Sequence, residues 1–184
     1  SKLNAEQAAA AYMLGESIES SGGDPTRVGE SVRVVGTNPF IIGDEATEGN
    51  RFYQFLKSWG DKVSCYLLNT GGVGEIAQRD ASGTRTVQRK VDRVQIPEMA
   101  AVIRNLLRGS IEWEEEPFFG TQVPRRVEGI RWDRFGLNAL YAQTQIDSLA
   151  KELIQERITY MERYPTLDRK IVETIKRPTA CSPA

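Results

Sequence analysis

The chain has 184 residues, 40% of them hydrophobic and 27% charged, which is enough to bury one core and fits one domain better than two. Its 24 basic residues nearly balance 25 acidic ones, so the composition carries no electrostatic footprint of nucleic-acid or anionic-membrane binding. Histidine is absent, which removes the usual general base near neutral pH, the Ser-His and Cys-His pairs, and the commonest transition-metal ligand.

No apolar run approaches a membrane span, and the opening "SKLNAEQAAAAYMLGES" lacks a signal peptide's regions, so the expected location is the cytoplasm. Two cysteines, Cys65 in an apolar run and Cys181 in a Pro-bounded tail, do not make a disulfide framework.

In chain order, the first predicted element is a helix over Asn4–Ser20. Asn4 suits the N-cap and Gln7 falls where a capping-box partner reaches back. Tyr12, Leu14 and Ile18 give it a modest apolar stripe, and Gly22-Gly23 would end it. Val32, Val34 and Ile41, interrupted by Gly36 and Pro39, predict two short strands or a strand and a bend. A second helix is predicted over Thr47–Trp59, with Phe52, Phe55, Leu56 and Trp59 on one face and Gly60 at its end. Asp44, Glu45 and Glu48 sit where carboxylates complement a helix N-terminus, not where paired catalytic acids would be.

"KVSCYLLN", Lys62–Asn69, is nearly continuous in apolar residues and predicts a strand buried on both faces. Arg79–Arg93 predicts a loop or loose hairpin. Pro97–Arg108 predicts a helix with an apolar face of Met99, Val102, Ile103, Leu106 and Leu107, closed by Gly109. The stretch 110–135 mixes turn signals with aromatics, and its run of adjacent glutamates reads as a solvated surface. A long helix over Gln143–Tyr164 carries Ile146, Leu149, Leu153, Ile158 and Met161 along one face. Pro165 ends it, and Leu167, Ile171 and Ile175 suggest a last short helix. The expected fold class is α/β, a mixed sheet with flanking helices, as one domain over 1–176 and a flexible tail over 177–184.

Two features could carry chemistry. Asn69, Thr70, Gly71, Gly72 and Gly74 follow the predicted strand, where backbone N–H groups can surround an anion. A P-loop would need Lys-Ser or Lys-Thr next, whereas Glu75, Ile76 and Ala77 follow, and a dinucleotide fingerprint lacks its further Gly. The stretch therefore reads either as a plain strand-to-loop turn or as a ligand contact. The second feature is basic: Arg79, Arg85, Arg89, Lys90 and Arg93 lie in one stretch, and a loop folding over the glycines could supply the positive charge that Glu75 denies. Alternatively these residues are solvated and paired with Asp80 and Asp92. Arg125, Arg126, Arg131 and Arg134 form a second cluster with the same two readings, beside Trp132 and Tyr141.

Taken in order, the motifs resemble the C-terminal part of an ATP-type phosphoenolpyruvate carboxykinase. The family's "KLTPEQA" has its counterpart in "KLNAEQA" at Lys2–Ala8, and its "YLVNTG" in "YLLNTG" at Tyr66–Gly71. Its "FG", "VP" and Gly-Val series is matched by Phe119-Gly120, Val123-Pro124 and Gly129-Ile130, and its "NGS" by "RGS" at Arg108–Ser110. The family's Trp after "NTG" is Gly72 here, its "GxGKRI" is not recognisable, "PRRVEG" stands for "PTxxPG", and "RWDRF" occupies the neighbourhood of "PRNTW", which marks a divergent branch.

This resemblance implies a fragment without the family's P-loop, metal-binding residues and substrate arginines, which lie before the "KLTPEQA" point. The fragment would complete the nucleotide pocket of a parent that converts oxaloacetate and a nucleoside triphosphate to phosphoenolpyruvate, nucleoside diphosphate and CO2. Counting back from "RGS" without a gap places Arg93 and Val94 on the family's nucleotide-lining Arg-Ile. The implied cofactors are ATP or another nucleotide and a divalent metal, Mg or Mn, held by the intact parent, with none bound tightly by this fragment alone. The implied partner is the upstream P-loop-containing part of the same protein, with no nucleic acid and no membrane. A non-catalytic module binding an anion or an acidic partner through the arginine clusters is the alternative.

Overall fold

A computed structural model describes residues 1–18, 31–36, 38–60, 62–79 and 85–175. The chain runs through β1 (Lys2–Leu3), α1 (Ala5–Leu14), β2 (Glu16–Ile18), β3 (Ser31–Arg33), α2 (Glu45–Trp59), β4 (Cys65–Tyr66), β5 (Gly72–Val73), β6 (Ile76–Arg79), β7 (Arg85–Arg89) and β8 (Asp92–Arg93). It continues through α3 (Ile96–Arg108), β9 (Glu112–Glu115), β10 (Gln122–Arg126), a 3-10 turn at Trp132–Phe135, α4 (Leu137–Leu140), α5 (Gln143–Met161) and α6 (Arg169–Glu173). The fold is α/β, with several small sheets and flanking helices. The residues group into two compact units: Ser1–Leu67 with Glu115–Gln122 and Lys151–Ala184, and Leu68–Glu114 with Val123–Ala150.

The first unit holds the larger core. Asn4 caps α1 as expected: its side chain accepts from the Gln7 backbone N–H at 2.8 Å while Gln7 Oε1 accepts from Asn4 N–H at 3.0 Å. The Gln7 amide then donates to the Gly120 carbonyl at 2.8 Å, which is why a glutamine tolerates burial there. The helix stops earlier than expected. Gly15 takes the left-handed conformation, φ 45° and ψ 43°, and closes the helix through Gly15 N–H to the Ala11 carbonyl. Ile18 belongs to β2, which pairs antiparallel with β3, Glu16 opposite Arg33. Ser20 and Gly22-Gly23, expected at the helix end, lie outside the described residues, as do Cys181 and the 177–184 tail.

α2 begins where its carboxylates predict, with the Asp44 side chain accepting from Thr47 N–H at 2.8 Å. Its buried face, however, is Ala46, Gly49, Tyr53 and Leu56, while Phe55 and Trp59 are each 47% exposed. Gly49 explains the rotation. A Cβ there would sit 2.3 Å from Met13 Sδ and 3.1 Å from Leu167 Cδ1, so only a glycine lets α2 lie this close to the Met13 side chain of α1. Tyr53 is fully buried and its hydroxyl donates to Glu6 Oε1 at 2.7 Å. Burial and that carboxylate push the phenol up to about 12. Around this contact gather Ala9, Met13, Val35, Met161, Leu167, Ile171 and Ile175, so the predicted short helix near Ile171 does seal the core.

β4 is a second correction. Its ladder to β1 covers Lys2 opposite Tyr66 and Leu3 opposite Cys65, and among the described residues β1 is its one partner strand, so β4 lies at a sheet edge. Val63 and Leu67 are exposed. A continuous apolar run has the same appearance whether both faces or one face are covered, and periodicity cannot separate them.

In the second unit, α3 matches its prediction closely: Pro97 lies in the first turn, Glu98 Oε2 accepts from Gln95 N–H at 2.8 Å, and Gly109 ends it at φ 65°. Its expected apolar face is only partly covered, with Ile103 and Leu107 exposed and Ala101 and Asn105 buried. The Asn105 amide donates to the Ala101 and Glu128 carbonyls at 2.9 and 3.2 Å. The predicted loop or loose hairpin at Arg79–Arg93 is met only in part: β7 pairs antiparallel with β6, which begins before that stretch, with an irregularity at Ile76/Ala77, while Asp92–Arg93 pairs with β5 and residues 80–84 lie outside the described residues. Among the described residues no helix is long and apolar enough to cross a membrane.

Candidate functional site

The residues singled out after "YLL" come together within the second unit. Asn69 organises the exit: Gly71 N–H donates to Asn69 Oδ1 and the Asn69 amide donates to the Gly72 carbonyl, both at 2.9 Å. This is the local backbone bonding that an Asx residue is expected to make. Thr70 and Gly71 are exposed beside it. Gly72 then pairs antiparallel with Arg93, and Val73 with Asp92, while Val94 N–H donates to the Gly71 carbonyl at 3.2 Å. Two segments linked only by a count back from "RGS" are thus direct neighbours in one ladder.

Gly72 is required by that closeness. A Cβ there would meet Val91 Cγ2 at 2.5 Å and the Asp92 carbonyl oxygen at 2.6 Å. Gly74 is buried at φ 80°, and its carbonyl accepts from Arg89 Nε. One of the five basic residues does therefore fold onto the glycines. Its guanidinium also lies 5.1 Å from the Tyr141 ring centroid, and the Tyr141 hydroxyl donates to the Glu75 carbonyl at 3.2 Å. Arg89 Nη2 is buried without a hydrogen-bond partner. Lys90 and Arg93 are exposed, and Arg79 stands opposite Arg85 in the hairpin register.

The expected surface pairing of these arginines with Asp80 and Asp92 takes a different form. Asp80 lies outside the described residues. Asp92 accepts instead from Arg134 Nη1 at 2.5 Å, and the same guanidinium donates Nε to Glu98 Oε1 at 2.9 Å, Nη2 to Glu98 Oε2, and Nη2 to the Arg93 carbonyl at 3.1 Å. Asp92, Gln95, Pro97 and Glu98, facing Gly129, Ile130, Arg131 and Arg134, line an open depression of about 530 Å³. Arg93 and the Asn69–Gly74 exit border this region through the ladder and do not line it. Arg125, Arg126 and Arg131 are exposed, whereas the Trp132 indole N–H donates to the Pro124 carbonyl at 2.9 Å, a structural contact.

The Arg134 hydrogen bond and charge hold the Glu98 carboxyl below the ordinary glutamate range. A depressed folded value means that the pair's contribution is complete above the unfolded glutamate pKa, about 4.3, and is lost as pH falls through the lower folded value. A carbon-13 carboxyl titration by NMR is expected to place the Glu98 midpoint below that of an exposed glutamate. In Arg134→Gln the midpoint should rise toward the ordinary range, with the Gln95 N–H still holding part of the shift.

The family model for phosphoenolpyruvate carboxykinase matches residues 1–133, most of the chain. The chain belongs to the phosphoenolpyruvate carboxykinase family. Among curated proteins, an ATP-type phosphoenolpyruvate carboxykinase from Rhodopseudomonas palustris (strain BisA53) is 31% identical over 96 residues, covering 52% of this chain and 16% of that relative. The matched segment is thus a small part of the carboxykinase's length.

The family uses a nucleotide and a divalent metal. For the nucleotide, this chain offers an exposed guanidinium at Arg93, glycine backbone opposite it, and the unpaired Arg89 Nη2 beside Gly74, a cationic and close-approach setting of the kind that phosphate-bearing ligands need. For the metal, no group of three or more His, Cys, Asp or Glu side chains converges among the described residues, so no step is assigned to a metal held by them.

Proposed function

We propose that this chain forms the nucleotide-facing part of a phosphoenolpyruvate carboxykinase-like parent. The parent would convert oxaloacetate and a nucleoside triphosphate to phosphoenolpyruvate, nucleoside diphosphate and CO2. The observation that carries this reading is the Gly72–Arg93 ladder, with Val94 bonded to Gly71, in a chain of this family. In the proposal, the Asn69–Gly74 exit supplies backbone that a ligand can approach closely, Arg93 supplies charge to the ribose-phosphate side, and Val94 supplies apolar wall.

Phosphoryl transfer depends mainly on positioning and charge neutralisation at the phosphates. In this reading those tasks belong to the P-loop and metal-binding region of the parent, upstream of this chain, and the chain by itself does not catalyse the reaction.

The test is Arg93→Ala in the full-length protein, read by ATP titration calorimetry. Because Arg93 is exposed, the fold should be retained while ATP affinity drops about tenfold, the order expected for a lost charge-assisted hydrogen bond. Unchanged affinity would return the glycines to a purely structural turn. Binding that follows Arg125, Arg126 and Arg131 instead, and that disappears steeply with salt, would favour a module for acidic partners.

A further inference from the structure

We infer that Arg134 is the positioning residue of this site, a clamp that holds the Arg93–Val94 edge in register against Gly71–Gly72. The inference rests on the nucleotide-facing reading for its consequence, though not for its geometry.

Arg134 reaches three points on one short segment. It grips the Asp92 carboxylate just before Arg93, the Arg93 carbonyl itself, and the Glu98 carboxylate one turn into α3. The Glu98 contact is a fork, with Nε and Nη2 on the two carboxylate oxygens, the geometry in which a guanidinium is most directional. Glu98 is fixed in turn by Gln95 N–H, so the fork is referred to the backbone at the start of α3. On its own side, Arg134 stacks 4.2 Å from the Phe135 ring centroid, and the adjacent Trp132 is tied to the Pro124 carbonyl. The side chain is 17% exposed and Glu98 16%, so water competes weakly for either partner.

The consequence follows from the size of what is held. β5 and β8 are two residues each and form a sheet by themselves, too small to define a register unaided. An external anchor on the Arg93 carbonyl and on Asp92 removes the freedom that the short ladder leaves. Arg134 lies one residue beyond the segment matching the family. Lysine could keep the charge but not the three-point planar grip.

The experiment compares wild type, Arg134→Gln, Arg134→Lys and Asp92→Asn in the full-length protein, reading amide hydrogen exchange at Val94 and ATP affinity. Exchange at Ala101 and Asn105 in α3 serves as the control for general unfolding. Arg134→Gln is expected to speed Val94 exchange and weaken ATP binding by about tenfold each, with the α3 amides unchanged. Arg134→Lys should fall between, and Asp92→Asn, which removes one anchor on an exposed carboxylate, should speed Val94 by about threefold. Should Arg134→Gln fail to fold, Asp92→Asn and Arg134→Lys still read the clamp. Unchanged Val94 exchange in every variant that folds, or acceleration in step with the α3 amides, overturns the inference. If Val94 responds as expected while wild type takes up no ATP, the clamp stands and the nucleotide reading fails.

Discussion

Gly15→Ala is expected to destabilise the first unit by about 3–5 kcal/mol, combining backbone strain at positive φ with a steric conflict that cannot relax locally. At φ 45° an L-residue is already disfavoured, and the added Cβ would lie 1.5 Å from the Val34 carbonyl oxygen. That atom belongs to backbone, so it cannot swing aside as a side chain would. Val34 N–H donates to the Gly15 carbonyl at 3.3 Å and Gly36 N–H to the Tyr12 carbonyl at 2.9 Å, which ties the strand exit to the end of α1 at two points. Moving Val34 would also move Val35, which is 1% exposed in the core with Met13 and Leu14. Urea unfolding monitored by Tyr and Trp fluorescence reads the loss. A midpoint within error of wild type would mean that α1 ends without this left-handed glycine.

The same position shows where sequence reading succeeds and stops. The start of α1 was legible because a capping box is local chemistry, complete within Asn4–Gln7. The beginning of α3 was legible for the same reason, with Pro97 and Glu98 in its first turn. The end of α1 has a local signal as well, Gly15 as a left-handed cap, but what makes that glycine obligatory is the Val34 carbonyl at the exit of β3, which no neighbour in sequence reports. The buried face of α2 was misjudged for a related reason. Aromatic spacing favoured Phe55 and Trp59, yet Gly49, the residue without a side chain, decides which face can approach Met13.

The candidate site divides along the same line. Asn69 as an exit cap and the approach of an arginine to the glycines could be read from residue type and neighbourhood. β9 alternates glutamates around Trp113 with the period of a strand, a pattern that the surrounding turn formers and acidic run obscure in the sequence. Arg134 was visible only as one member of a basic cluster. Its significance comes from partners 36 to 42 residues away, which composition cannot reveal.

Gly72→Trp, which installs the residue that the carboxykinases place after "NTG", is expected to remove the site rather than restore it. The first atom of any side chain at this position meets Val91 Cγ2 at 2.5 Å, the Asp92 carbonyl oxygen at 2.6 Å and Arg93 Cα at 3.1 Å. Two of these three atoms are backbone, so accommodation requires the β5–β8 ladder to part. Separation would break the Val94 to Gly71 hydrogen bond and carry Arg93 away from the glycines. The expected result is loss of Val94 amide protection and ATP affinity reduced by roughly tenfold or more, while the core around Tyr53 in the first unit keeps its stability. Gly71→Ala is the matched control for the Val94 protection readout, because its nearest contact would be Asn69 Oδ1 at an ordinary 3.5 Å. Without a side chain at position 72 the partner strand can come this close, and backbone pairing then sets Arg93 opposite Gly72. If Gly72→Trp retained both Val94 protection and ATP binding, the close Gly72–Arg93 approach would have no part in the site, and the Arg134 clamp would be holding a segment of no consequence for the ligand.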